Sequence, residues 1–547
     1  MKILRELRKI IKLKHEVKLN GKKITFLDVL SCAGGASVEF EFSQKQIRQI
    51  KDCYHTVIFH TRKGTPIYGI NTAYGAQVSR ILSATKESER IELAKELSKA
   101  ILHTDTSVGQ PIKKEVTKAA MLVRLHTLSQ GYSGICLEDL DLLRQLINSP
   151  FTPIVGQYGS LGASGDLAQN GRVLSVLLQE RTAKVWDEKD RVLPAKNALR
   201  SIHMKPLKLR PKNGLGFVNG DNFSIAAATL TTLETSVLMY LNSAVSALMF
   251  QVLKGSNRSL HPMLSAVRNH KGQALAASLY RKFLKSSKLI RDELTQVGKR
   301  ETGIAIQDKY SLRALPQYTG PDWEKLEKAW ETMEVGINGV SDNPLFVSPE
   351  LANTNEEPWS WVSGANFLGM YAADTLDDLR KVLTRLVKLN DRHLATLVNA
   401  NGNNGLPSNL SDKQAISQCT MKGLQNLMGM MEVYSVALST PITTLFGVHE
   451  EGNQDVTAHG LTSWILGNQL LDLAKYSIAT NLIAGAQAVD LRGGKLLLSP
   501  KTRFLYEFTR EKVPYIKKEQ PMGHYVQVIF EDFQTINSLL SLVKKLS

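Results

Sequence analysis

Apolar positions recur three and four residues apart over long stretches of the second half of this chain, with few prolines between them. The pattern predicts helices over roughly 223–254, 323–338, 366–400, 411–439 and 460–489. At about 1.5 Å per residue such helices must bury their apolar stripes against one another, which predicts a bundle. The stretch from Phe223, "FSIAAATLTTLETSVLMYLNSAVSALMF", reads as a helix enclosed by other helices; Glu234, Asn242 and its many hydroxyls argue against lipid around it. The first two hundred residues are mixed. "KITFLDV" and "HTVIFH" are β-like, whereas "KEVTKAAMLVRLHTLSQGYSG" is helical. The change of character predicts a smaller mixed region over 1–218, then a long-helix bundle and C-terminal region over 219–547. Loops at 255–273, 300–321, 341–365, 401–410 and 445–455 gather polar residues, and rigid scaffolds carry chemistry on such loops.

With 547 residues, 43% hydrophobic and 22% charged, the chain can bury a large core. It has no run of eighteen purely apolar residues, so no membrane span is expected. Cys32, Cys53, Cys136 and Cys419 lie far apart without a CxxC pair, which argues against a disulfide framework and a thiolate zinc site. The start lacks a secretory pattern, so a reducing, cytoplasmic location is expected. The net charge of +17 draws heavily on "MKILRELRKIIKLKHEVKLNGKK", where Leu4, Leu7, Ile10 and Ile11 would line one helical face. Such a helix can lie on a membrane or nucleic acid, but a solvated charged face is the commoner case. Basic and aromatic residues do not interleave as in nucleic-acid readers, and no nucleic-acid partner is expected.

The segment "GSLGASGDLAQ", Gly159 to Gln169, holds little but backbone. A mobile loop, or a helix start capped by Ser164 or Asp166, would suit it. It lacks the Gly-Lys-Ser/Thr ending of a phosphate loop. Gly162, Ala163, Ser164, Gly165 and Asp166 miss the last glycine of a nucleophile elbow. The histidines form no HExxH; His55 and His60 would fall on opposite faces of a strand, and no metal is expected. A tight bend offers another chemistry. The Gly165 nitrogen can attack the Ala163 carbonyl carbon, and loss of two waters leaves a methylidene-imidazolone, an electrophile that standard side chains lack.

"YGSLGASGDLA" resembles the cofactor-forming segment of the aromatic amino acid ammonia-lyases and related aminomutases. The resemblance extends, in order, through "IYGINTAYG" from Ile67, "GLGFVNGDN" from Gly214, "RNHKGQ" from Arg268 and "IQDKYSLRALPQ" from Ile306. It continues in "VSDNPLF" from Val340, "SGANF" from Ser363, "EEGNQD" from Glu450 and "QAVDLR" from Gln487. It implies a mainly α-helical fold, a long-helix bundle of the histidine ammonia-lyase type, with a smaller mixed N-terminal domain bearing the reactive loop. It also implies a homotetramer with shared active sites, and a 4-methylidene-imidazol-5-one formed autocatalytically from Ala163, Ser164 and Gly165. The fumarase and aspartase group shares a helical bundle, but its Met-Pro-Lys catalytic loop is absent here.

By this resemblance Tyr68 removes a β-hydrogen from an aromatic amino acid and Arg313 pairs with its carboxylate, which suits a bidentate guanidinium. Asn219 would hold the substrate amine or a cofactor oxygen; Gln307 and Tyr310 line the site, with Asn366 beside it. Asp166 would cap the helix that follows it and aim that helix's positive end at the electrophile. His103 and Thr104 match the pair that contacts the ring; His103 resembles tyrosine lyases, since imidazole can bond a phenol, while Thr104 is unusual. Gln454 stands where histidine lyases carry glutamate, and Glu450 where phenylalanine lyases carry one near the amine. Tyrosine is therefore the expected substrate, then phenylalanine or histidine, with a 2,3-aminomutase or a silent paralogue as alternatives. Asp221 replaces a usual threonine or serine, Ala73 a glycine, and "AQNGR" a proline-leucine-small-histidine run.

Overall fold

The computed structural model describes residues 16–292, 307–445 and 447–546, together with Arg5 and Ile10. The basic amphipathic start expected over the first fifteen residues thus lies almost wholly outside the described residues.

Five long helices carry the architecture: α1 Asn222–Val252, α2 Leu315–Gly336, α3 Met370–Val398, α4 Lys422–Ala437 and α5 Gly460–Leu491. The fold is mainly α-helical, as expected. α1 is the axis, and every residue in it except Glu234 is buried. Four of its hydroxyls are satisfied within the helix: Thr229, Thr232, Ser236 and Ser243 each donate to the carbonyl four residues back. Glu234 pairs with Lys475 of α5 at 2.6 Å. α1 is long and apolar enough to cross a membrane, but its apolar window is wholly enclosed by protein. Small ladders sit around this bundle. Val17–Leu19 pairs in parallel with Val38–Phe40, and Val108–Pro111 pairs antiparallel with Gly156–Tyr158, just before the glycine-rich loop. The main hydrophobic cluster draws side chains from both sides of residue 218.

Two β-like runs are helical. Thr25 caps the helix Phe26–Ala33 in a reciprocal box with Asp28, so "KITFLDV" turns into a helix at its third residue. "HTVIFH" lies inside the helix Gln44–Lys63, which Ser43 caps and left-handed Gly64 ends. Its buried positions, Ile50, Cys53, Val57 and Thr61, have helical spacing that a six-residue window is too short to reveal. His55 and His60 are therefore not on opposite faces of a strand. Two further boundaries move. α2 begins at Leu315 and runs through Pro321, and α4 begins only at Lys422. Residues 411–421 are instead held irregular, with the Ile416 and Ser417 amides donating to the Glu519 carboxylate.

One buried pair positions the strap of residues 440–445 and 447–459 that follows α4. Asp377 of α3 accepts from the Ile442 amide at 2.8 Å and the Thr443 hydroxyl at 2.9 Å. Arg380 pairs with Asp377 and donates to the Thr440 carbonyl at 2.8 Å. Removing the guanidinium leaves Asp377 buried without its cation. Arg380→Met is expected to destabilise the protein by about 3–5 kcal/mol in denaturant titration; a loss below about 1 kcal/mol would show that the pair does not anchor the strap.

Candidate functional site

Three helix starts converge on Leu161–Asp166. The His459 amide, at the start of α5, donates to the Leu161 carbonyl at 2.8 Å, and the Gly369 amide, at the start of α3, donates to Gly162 at 3.2 Å. The Asp166 carboxylate takes the Ser224 amide at 2.8 Å and the Ser224 hydroxyl at 2.7 Å, capping α1. This corrects the expected role of Asp166: it caps α1 rather than its own helix, Leu167–Leu177. There Ser160 takes the Ala168 amide at 3.0 Å. Gly162 and Gly165 have φ of +77° and +72°, open to glycine at little cost. A Cβ on Gly165 would strike the Gly220 carbonyl and lie 2.8 Å from the Asp221 nitrogen. Ala163 is buried, whereas Ser164 accepts the Gln454 amide at 3.3 Å. The smallness of "GSLGASG" is thus a packing requirement.

Behind the loop lies a buried charge cluster that sequence reasoning missed, although a lone Arg124 inside an apolar helical run was its signal. Arg124 donates to the carbonyls of Gly216, Ser341 and Asn219, the last at 3.1 Å. Asp342 receives Lys212 at 2.7 Å and lies 3.6 Å from Arg124, with all three side chains buried. Asn219 is buried beside them and donates to the Asn343 carbonyl at 3.2 Å. Burial pushes the Asp166 carboxyl up to about 7 against the pull of Ser224. Burial likewise pushes Asp221 up to about 6, against Ser341 and Arg124. Asn366 reaches this end of the bundle too, donating to Val340 at 3.4 Å.

On the other side of the loop, the strap carries Gln454 and Glu450 together, because His449 and Gln454 bridge each other. The Glu450 carboxylate sits against Gly75, whose φ of +57° and lack of a Cβ make that approach possible. The Gly75 amide donates to the Tyr68 hydroxyl at 3.1 Å. Burial raises the Tyr68 phenol, the Gly75 donor lowers it and the Glu450 charge raises it further. The Tyr74 ring lies 6.4 Å from that of Tyr68 and 6.3 Å from that of His103. His103 Nδ1 donates to the Ala100 carbonyl at 2.8 Å, an arrangement in which a neutral ring presents Nε2 as the acceptor. The Thr104 hydroxyl is turned back onto Ile101 at 2.8 Å and packs toward Gly171.

Gln307, Tyr310 and Arg313 are elsewhere. The short helix Tyr310–Arg313 is held at the far end of α3, where the His393 ring donates to the Ser311 carbonyl at 2.9 Å. The loop meets Gly369, twenty-four residues earlier along the same helix, which is about 36 Å. One chain therefore does not bring Arg313 to Ser164. Arg313 lies over the exposed Tyr310 ring at 4.1 Å, and its buried Nε has no hydrogen-bond partner among the described residues. Gln307 is exposed. Among the described residues, no group of three or more His, Cys, Asp or Glu could hold a metal ion.

Residues 24–511 match the aromatic amino acid lyase family. The chain is 30% identical to a phenylalanine ammonia-lyase of Nostoc punctiforme, covering 94% of this chain and 92% of that one. It is 31% identical to a histidine ammonia-lyase of Myxococcus xanthus, covering 85% and 86%. The crystal structure of a tyrosine aminomutase from Streptomyces globisporus superposes with a TM-score of 0.86 at 25% identity, covering 97% of this chain and 98% of that one.

The raised carboxyls give a stability signature. Both bind protons more tightly when folded than at their ordinary value of 3.8, so the stability they contribute is full below about pH 4 and fades toward pH 6–7. Asp221→Asn, which cannot titrate, should gain stability over the wild type as pH rises from 4 to 7. Melting temperatures whose difference stays constant over that range would show that Asp221 does not titrate there.

Proposed function

The chain belongs to the aromatic amino acid lyase family, and on that premise we propose that it eliminates ammonia from an aromatic L-amino acid, tyrosine first, to give an α,β-unsaturated aryl acid. It is a carbon–nitrogen lyase, and its relatives act on phenylalanine, histidine and tyrosine by name. The observation that carries the reading is the compression at Gly165, where the Gly220 peptide occupies the space of a side chain. Ala163, Ser164 and Gly165 fit a 4-methylidene-imidazol-5-one: two left-handed glycines bend the segment, and a neighbouring peptide holds the bend shut. That group supplies an electrophile for the substrate amine.

The side chains divide the remaining work. Tyr68 takes the β-proton as its phenolate and becomes the phenol, and the Gly75 amide steadies the phenolate before the transfer. Glu450, beside Gly75, faces the substrate amine. His103 Nε2 is free to accept a hydrogen bond from the tyrosine phenol, which is the reason to place tyrosine first. Gln454 holds the Ser164 end of the loop. Arg313 binds the carboxylate, with Tyr310 and Gln307 beside it, and these three come from a second copy of the chain because their own lie at the far end of α3. The unpartnered Arg313 Nε and the exposed Tyr310 ring suit that arrangement, as does a homotetramer. Asn219 holds the substrate amine or an oxygen of the imidazolone, and Asn366 supports the same site. A cytoplasmic location fits the free, mostly buried cysteines.

The purified protein is expected to convert tyrosine to its unsaturated acid faster than phenylalanine or histidine, as read by mass spectrometry of products. A β-amino acid would instead make it an aminomutase, the activity of the Streptomyces relative, and no turnover of the three would overturn the substrate assignment. Tyr68→Phe should cut turnover by about 10²- to 10⁴-fold without unfolding the protein. Glu450 raises the Tyr68 phenol, so Glu450→Gln should move the ascending limb of kcat/KM, on which Tyr68 becomes the base, to lower pH. A limb that stays in place would separate Glu450 from Tyr68. His103→Phe should shift preference from tyrosine toward phenylalanine by about tenfold; an unchanged ratio would remove His103 from ring recognition.

A further inference from the structure

Asn170 lies on the first turn of the helix after the loop and is fully enclosed, yet no reactive group needs it. Its Nδ2 shares two hydrogens among three acceptors: the Val218 carbonyl at 3.0 Å, the Gly220 carbonyl at 2.9 Å and Asn222 Oδ1 at 2.9 Å. Asn222 returns the bond, Nδ2 to Asn170 Oδ1 at 2.9 Å, and also donates to the Ala120 carbonyl at 3.1 Å. The Asp166 amide, four residues before Asn170, reaches the same Gly220 carbonyl at 2.8 Å. Gly220 is therefore gripped twice by one segment, through the Asp166 backbone and the Asn170 side chain. It is also the peptide that fills the space beside Gly165.

We propose that Asn170 is a positioning residue for cofactor formation: it clamps the Gly220 peptide against Gly165 and so holds the loop in the bend from which it cyclises. The inference rests on the cofactor proposed above. In the cyclisation the Gly165 nitrogen bonds to the Ala163 carbonyl carbon. The carbonyl oxygen leaves as water with the hydrogens of the Gly165 and Ser164 nitrogens, and a C=N bond forms to the Ser164 nitrogen. Ser164 then loses its hydroxyl and α-hydrogen as the second water. Asn170 takes no part in these bonds. Without it, the Val218–Gly220 backbone loses its side-chain anchor to the helix start, and buried carbonyls lose donors. Gly165 is then free to relax away from Ala163.

The test is the mass of the peptide containing residues 163–165, followed in time after cell-free synthesis of the full chain. The wild type should lose two waters. Asn170→Leu, which removes both donors, should lengthen the half-time by about tenfold or leave most chains unconverted. Asn170→Ser, smaller and keeping one donor, should fall between them and supplies the reading if the leucine variant does not fold. Asn390→Leu is the control, because Asn390 is an equally buried amide in α3 that bonds Ser477 at 2.9 Å, away from the loop. A merely structural role predicts that Asn170 and Asn390 variants of matched melting temperature mature alike; that result, or wild-type kinetics in both Asn170 variants, overturns the inference. A wild-type peptide of unmodified mass overturns the proposed cofactor itself and this inference with it.

Discussion

Gly165 has no room for a side chain because the Gly220 peptide rests where one would be, and that contact is the constraint on which the site depends. It is held from every side. Asp166 caps α1, the Leu161 carbonyl takes the start of α5, and the Gly162 carbonyl takes the start of α3. Helix starts present unsatisfied amides and a partial positive charge, so three of them around one short loop fix its backbone and favour negative charge nearby. The length of those helices has a consequence for the loop: each start is anchored by a buried stripe extending far from it. A loop gripped this way can stay bent where a free one would relax.

The same length separates the two halves of the proposed chemistry. The loop, Tyr68, Glu450 and Gln454 meet at one end of the bundle, while Arg313 sits about 36 Å along α3 at the other. A rigid helix forbids the two from meeting within one chain. A second copy placed to bring its far end to the first copy's near end joins them, and under that arrangement assembly and activity are one property. The buried cluster of Arg124, Lys212 and Asp342 is then scaffold: it holds the carbonyls of Gly216, Asn219 and Ser341 so that the Gly220 peptide cannot drift.

Much of this was legible in the residues. The long apolar periods of α1, α3 and α5 declared the bundle to within a few residues, because buried helices write an unambiguous pattern. The small residues of 159–165 declared a backbone that must come close to something. What remained hidden was whatever a distant partner decides. "HTVIFH" reads as a strand until Ser43 and Gly64 define a longer helix around it. Asp166 looks like a cap for the residues next to it, yet Ser224, distant in sequence, takes its carboxylate. Arg313 and Ser164 both stood out as sequence, but nothing in sequence says that they lie at opposite ends of one helix.

The most direct test of a divided site is complementation. Tyr68→Phe and Arg313→Ala chains would each be inactive alone, then co-expressed and purified as a mixed assembly. If sites draw Tyr68 from one copy and Arg313 from another, some sites in the mixture are intact, and activity returns to a measurable fraction of the wild type. A mixed assembly as inactive as either parent would contradict a site shared between copies.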